Sequence, residues 1–184
     1  IGTSIRNLGL GLTKLGQNVT IYVYGQRTDN EFIDEELTVV QIQNIKINGI
    51  SWYLTRKKIQ NIINKHILER GLQIVEAPDW TGITAFMKLK CPVVIKLHGS
   101  DTYFCHLERR PVKKWNYFLE KRALKNANAH ISVSSYTASI TNILFNLSIN
   151  YKIIPNGIGI YNGSRLDNEN DSTGGEKILL YVGT

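Results

Sequence analysis

The residue with the most chemical promise in this chain is His98, which follows the run Val93-Val94-Ile95-Lys96-Leu97 and precedes Gly99, Ser100 and Asp101. A histidine at the end of an apolar strand, beside a glycine that permits close approach, stands where a ligand would meet it. It could donate to a phosphate or a sugar hydroxyl, or act in proton transfer. It could equally be satisfied by backbone, with Asp101 capping a turn. Glu76-Ala77-Pro78-Asp79-Trp80 follows another apolar run. Its two carboxylates and indole could hold a hydroxyl-rich ligand, or Asp79 could be an N-cap and Trp80 partly buried. Gly2-Thr3 opens a helical pattern, where free N–H groups at the positive helix end would receive a phosphate. Ser134-Ser135 opens a second one and reads as an N-cap. In Pro155-Asn156-Gly157, Asn156 suits a left-handed turn or a hydrogen bond to a ligand.

Other chemistries lack their signatures. Gly9 and Gly11 have no third glycine to complete G-x-G-x-x-G, and no G-x-x-x-x-G-K-[ST] loop occurs. His66, His106 and His130 show no metal-ligand spacing, so no metal is expected. The two cysteines, Cys91 and Cys105, make neither a disulfide framework nor a zinc pattern, which reads as a reducing, cytoplasmic compartment. No run approaches the ~20 apolar residues of a membrane span, and no basic-then-apolar leader opens the chain. The length of 184 residues suits one domain, and 42% hydrophobic with 20% charged residues suits a soluble globular core. With 22 Lys+Arg against 15 Asp+Glu, the formal charge of +7 favours an anionic partner: nucleic acid, a phosphorylated small molecule or acidic lipid. Much of that charge sits at Arg109, Arg110, Lys113, Lys114, Lys121, Arg122 and Lys125, interleaved with Trp115, Tyr117 and Phe118. Such a basic helix could lie on anionic lipid or contact phosphates, or be a solvated face with its aromatics in the core.

The elements that must position these residues follow from periodicity. Ile5, Leu8, Leu12 and Leu15 predict a first helix, capped by Thr3 or Ser4 and ended at Gly16. Val19 to Tyr24 reads as a buried strand, Asp29 to Glu36 as a polar connection, and Leu37 to Ile42 as a second apolar run. Helical spacing returns from Trp52 to about Arg70, with Ile59, Ile62, Ile63 and Ile67 on one face. Then come strands at 72–76, 93–97, 129–133 and 151–154, and helices at 83–89, 112–127 and 135–145. This alternation calls for an α/β fold: a Rossmann-like doubly wound, mostly parallel sheet with helices on both faces. Residues 1–161 form that domain. The Asn, Asp, Glu, Ser and Gly of 162–177 make a linker or exposed loop, and 178–184 a single strand of something further. With no strand ahead of the first helix either, truncation at both ends is expected.

Taken together, several stretches resemble the N-terminal domain of a GT-B glycosyltransferase of the large retaining group called family 4. Ile1-Gly2-Thr3 with Leu8, Leu12 and Leu15 resembles that family's glycine-rich loop and first helix. Gly16-Gln17-Asn18-Val19-Thr20 resembles its Gly-His-x-Val-Thr passage, with Gln17 in place of His. Val94 to Asp101 resembles the strand ending in His-Gly-x-Asp or His-Gly-x-Glu. Ala127 to Ser135 and Ile153 to Ile158 resemble "A-x-A-x-I-x-V-S" and "I-P-N-G-I/V", and Tyr181 to Thr184 resembles a Tyr-Val-Gly-Arg opening of the second domain. The likeness spans essentially the whole chain.

The resemblance implies an enzyme that moves a sugar from a nucleotide-sugar, such as a UDP- or GDP-sugar, to a saccharide or lipid-linked acceptor in polysaccharide or cell-envelope assembly. It implies no cofactor beyond that co-substrate and a metal-independent retaining reaction in the cytoplasm. The basic helix at 109–125 is the motive for expecting that the enzyme could also rest peripherally on the inner membrane face. His98 would be catalytic. Gly2, Thr3, Asn156, Gly157, Gly183 and Thr184 would serve the donor phosphates, and Glu76, Asp79, Trp80, Gly99, Asp101, Tyr103 and Ser134 would line the cleft or meet the acceptor. The family's basic pair and paired glutamates belong to the second domain, so this chain alone is expected to bind weakly and not turn over. The competing expectation is a non-catalytic Rossmann-like module for a phosphorylated ligand or protein partner. Nucleic-acid binding through 109–125 has no recognition motif behind it.

Overall fold

The computed structural model describes residues 2–157. The expected linker 162–177 and strand 178–184, with Gly183 and Thr184, lie outside the described residues, as does Ile1. The chain runs α1 (Gly2–Lys14), β1 (Thr20–Gln26), β2 (Asn30–Asp34), β3 (Leu37–Gln43), α2 (Ser51–Arg70), β4 (Val75–Pro78) and a single 3-10 turn (Trp80–Gly82). It continues through β5 (Val93–Leu97), α3 (Asp101–Leu107), α4 (Lys114–Asn126), β6 (Ala129–Ser132), α5 (Ser135–Phe145) and β7 (Lys152–Ile153). One sheet is ordered β1-β3-β2, with β1 and β3 parallel and β2 antiparallel at its edge. The other is ordered β4-β5-β6-β7 and is parallel throughout. Helices between parallel strands make this the Rossmann-like α/β layer that the alternation predicts.

Two apolar clusters hold it. Val40 and Ile42 of β3 pack on Ile59 and Ile63 of α2, together with Ala77 of β4 and Ile83, so α2 ties the two sheets into one core. Ile95 and Leu97 of β5 pack on Leu119, Ala123 and Leu124 of α4 and on Phe145 of α5. The opposite face of β3 carries Leu37, and α1 lies against it. Helices therefore cover both faces of the first sheet.

The structure departs from the sequence expectation in five places. The stripe of α1 is rotated: Leu8 and Leu15 are exposed, Leu15 at 74%. The contact is centred instead on Gly9, where a Cβ would come within 2.9 Å of a Leu37 methyl, so bare backbone sets the approach. The polar connection 29–36 contains strand β2, which has no apolar alternation because it is an exposed edge held by its ladder to β3. The helix expected at 83–89 is a series of turns. Thr81, Gly82 and Phe86 all take left-handed backbone (φ 49°, 57° and 64°), which a helix cannot absorb. The short α3 was not anticipated, and β4 starts at Val75 rather than Leu72.

Gly82 packs directly on the backbone of α4: a Cβ there would stand 2.4 Å from the Leu119 carbonyl and 2.6 Å from the Glu120 nitrogen. Gly82→Ala is expected to destabilise the protein by roughly 2–4 kcal/mol, from backbone overlap and lost left-handed freedom. Gly11 of α1 faces open space, so Gly11→Ala is expected to stabilise by roughly 0.5–1 kcal/mol. Urea midpoints of both variants check the pair, and equal effects would contradict the packing described.

Candidate functional site

Because β4 to β7 are parallel and in register, Pro78, Leu97, Ser132 and Ile153 finish at one edge of the sheet. The residues that follow, Asp79-Trp80, His98-Gly99, Val133-Ser134 and Ile154 to Gly157, gather along that edge, where an open parallel sheet receives ligands. His98 is half-buried there. Lys96, two residues earlier and so on the same face of β5, is buried. Burial first, and the Lys96 charge second, hold the His98 imidazole below its ordinary value. At neutral pH the ring is uncharged, suited to one hydrogen bond given and one accepted.

The loop that presents His98 is gripped from two sides by buried carboxylates. Asp79 is 2% exposed, and its two oxygens accept from the backbone N–H groups of His98 (3.1 Å) and Gly99 (3.2 Å). Glu120 of α4 is 1% exposed and accepts from the N–H groups of Asp101 (2.9 Å) and Thr102 (3.2 Å) and from the Thr102 hydroxyl (2.5 Å). Burial pushes the Asp79 carboxyl up to about 6 against these hydrogen bonds, and the nearby Glu120 charge adds to the rise. The Glu120 carboxyl is raised for the same first reason, desolvation. Ser100 completes the arrangement as the N-cap of α3, accepting from the Tyr103 N–H at 3.2 Å. Gly99 sits at φ 107°, and a Cβ there would meet the Phe104 ring at 2.8 Å, so the loop admits glycine alone.

The other expected site residues divide. Trp80 is partly exposed and tilted over Phe104, and Glu76 is exposed on β4. Asp79 does not stand on a cleft wall as an acceptor ligand would, since its oxygens are taken by backbone. Asp101 also turns away from the edge. It accepts from the Asn116 side chain at 2.8 Å and pairs with Arg110 at 3.4 Å, which together hold its carboxyl below the usual range. Tyr103 is buried, edge-on to Phe104. The Ser134 hydroxyl is spent capping α5 through the Thr137 N–H at 3.1 Å. Gly2 and Thr3 are exposed in the first turn of α1, with open space around Gly2, and Asn156 and Gly157 are exposed after β7. Sequence reasoning missed Lys96, Asn116 and Glu120. The signal for Glu120 was present: it falls beside Leu119 on the face of α4 that also carries Ala123 and Leu124, where a carboxylate without a partner would be costly. Among the described residues no three of His, Cys, Asp and Glu converge as metal ligands would, and no helix is long and apolar enough to cross a membrane.

Comparison with known proteins gives one family. The model for Glycosyltransferase Family 4 matches residues 1–160. No curated protein matches the chain.

The Asp79 carboxyl binds its proton more tightly in the folded protein (about 6) than its ordinary 3.8. Its contribution to stability is therefore fully present below about pH 4 and is lost as pH rises through about 6, a span of about 3 kcal/mol. Asp79→Asn removes this dependence. The stability of the native protein relative to Asp79→Asn should fall by about 2 kcal/mol between pH 4 and 7 in urea titrations. A constant difference would mean that Asp79 is not buried as described.

Proposed function

The chain belongs to glycosyltransferase family 4, and from that premise we propose that it is the acceptor-side half of an enzyme transferring a sugar from a nucleotide-sugar to a saccharide or lipid-linked acceptor in polysaccharide or cell-envelope assembly. The observation that carries this reading is the neutral, half-buried His98 imidazole, presented at the ligand-receiving edge by a loop whose amides at 98, 99, 101 and 102 are all held by buried carboxylates. In the transfer, the bond from the sugar's anomeric carbon to the diphosphate breaks and the acceptor hydroxyl oxygen bonds that carbon. The nucleoside diphosphate leaves with the bonding electrons, and its oxygen takes the proton that the acceptor hydroxyl loses. His98 then serves best as a hydrogen-bond partner for a hydroxyl of the transferred sugar, held still so that the bond strengthens as charge develops. The charge growing on the diphosphate would be met by the open first turn of α1 at Gly2-Thr3, with Asn156, Gly157, Gly183 and Thr184 as further contacts. In this reading the reaction is retaining and uses no resident metal, and a UDP- or GDP-sugar is the co-substrate. Glu76 and Trp80 would face the acceptor, while Asp79 and Glu120 act only through the loop.

The same reading places the enzyme on the cytoplasmic side of a membrane, touching it through 109–125. Arg110 is engaged by Glu108 and Asp101, but Arg109, Lys113, Lys114 and Lys125 are exposed, next to the exposed and mutually stacked Trp115 and Phe118. Cations flanking exposed aromatics suit an anionic lipid surface.

In a protein extended through its second domain, His98→Ala should lower kcat on the order of 10²-fold or more with a smaller change in KM. Steady-state transfer with a panel of UDP-, GDP- and ADP-sugars checks it. Failure of that protein to bind any nucleotide-sugar would leave a non-catalytic module instead. Charge reversal at Lys113 and Lys114 should abolish co-sedimentation with phosphatidylglycerol vesicles, and binding indifferent to lipid charge would remove the membrane clause.

A further inference from the structure

A cavity of about 360 Å³ lies at the C-terminal ends of β1 and β3, between the 44–48 loop and the first two turns of α2. That volume falls within the range of small-ligand sites. Its lining includes Tyr24, Lys46, Trp52 and Arg56, and among the described residues contains no aspartate or glutamate. Arg56 is only 7% exposed, yet no carboxylate among the described residues neutralises it. Its guanidinium donates to the backbone carbonyls of Trp52 (3.2 Å), Thr81 (3.1 Å) and Gly82 (3.4 Å), and its Nε has no partner among the described residues. Besides those carbonyls the guanidinium meets the Trp52 ring, 5.6 Å away. A buried cation with no carboxylate partner is an incomplete arrangement, since such charges are ordinarily paired. The start of α2 adds to the imbalance, because Ile50 at its N-cap supplies no side-chain acceptor. The loop is held in shape from α2: the Ile45 N–H donates to the Thr55 hydroxyl at 3.0 Å and the Ile47 N–H to Ser51 at 2.8 Å. The cavity is thus pre-formed, positive and walled by an indole.

We propose that this cavity is a subsite for a phosphorylated group of the acceptor, with Arg56 and Lys46 facing the phosphate and Trp52 lying against the sugar or polyol that carries it. The Arg56 charge with the Lys46 ammonium suits phosphate oxygens, and an indole face suits a ring's apolar side. The phosphate belongs either to a free sugar phosphate or to a lipid headgroup. The word acceptor rests on the transferase reading, but binding of the phosphate does not. Arg56 also grips the carbonyls at 81–82, two to three residues after Asp79, so the subsite and the His98 loop share one turn.

The test uses the whole chain, with indole fluorescence as readout and glucose 6-phosphate, glucose and phosphatidylglycerol vesicles as probes. Glucose 6-phosphate should bind at least about tenfold tighter than glucose, and Lys46→Gln, an exposed position that leaves the core untouched, should weaken it about tenfold. Arg56→Lys should weaken it further. Binding of vesicles but not of glucose 6-phosphate, with the same sensitivity to both substitutions, would assign the phosphate to a lipid. Equal binding of glucose and glucose 6-phosphate, no binding of any probe, or binding indifferent to both substitutions would overturn the proposal. Phosphate binding that survives in an extended protein unable to transfer any sugar would overturn the transferase reading and leave this site standing.

Discussion

The constraint on which the site depends is the burial of two carboxylates within one loop's reach. Removing a carboxylate from water costs several kcal/mol, and only well-placed donors offset it. Asp79 and Glu120 find those donors in backbone N–H groups of residues 98 to 102, with the Thr102 hydroxyl as one more. Any displacement of the loop would strand a charge in the interior. The position of His98 is therefore set by groups that need no contact with a substrate, and this rigidity is what an active-site hydrogen bond requires.

Both carboxylates are placed by the same short turn. Gly82 lets the backbone of residues 80–82 rest directly on α4 at Leu119 and Glu120, while Arg56 reaches from α2 to hold the carbonyls of Thr81 and Gly82. Asp79, immediately before the turn, then meets the end of β5. Two helices and two strands are thereby referred to one point. The left-handed Thr81 is strained for a residue with a Cβ, and such strain persists only where surrounding contacts over-determine it.

Charge is also distributed unevenly. The acidic stretch around β2 is matched locally: Arg6 pairs with Asp34 and Glu35, Lys58 with Asp29, and Arg70 with Glu31. Exposed pairs of this kind add little stability, but they absorb acids that would otherwise offset the cations elsewhere. The excess of +7 is left largely to the α4 face, and Arg56 and Lys46 carry a share of it beside α2.

By itself, the sequence determined the parallel α/β layer, the central strand Val93–Leu97, the helix Ser135–Phe145 and the place of His98 at a strand end. Each of these is local: an apolar period, a cap or a run of β-branched residues is written in neighbouring positions. It also marked Asp79 and Asp101 as residues of interest, but not the direction in which they face. That direction is decided by partners 19 and 15 residues away, His98 for Asp79 and Asn116 for Asp101. The turns at 83–89 were read as a helix because their apolar spacing permits one, and only the contact of Gly82 with α4 shows why none forms. β2 was missed because an exposed edge strand needs no apolar alternation. Arg56 carries no local mark of burial, and Glu120 only its place beside Leu119. Tertiary structure alone decided that both are buried, because burial depends on which surfaces distant segments bring together.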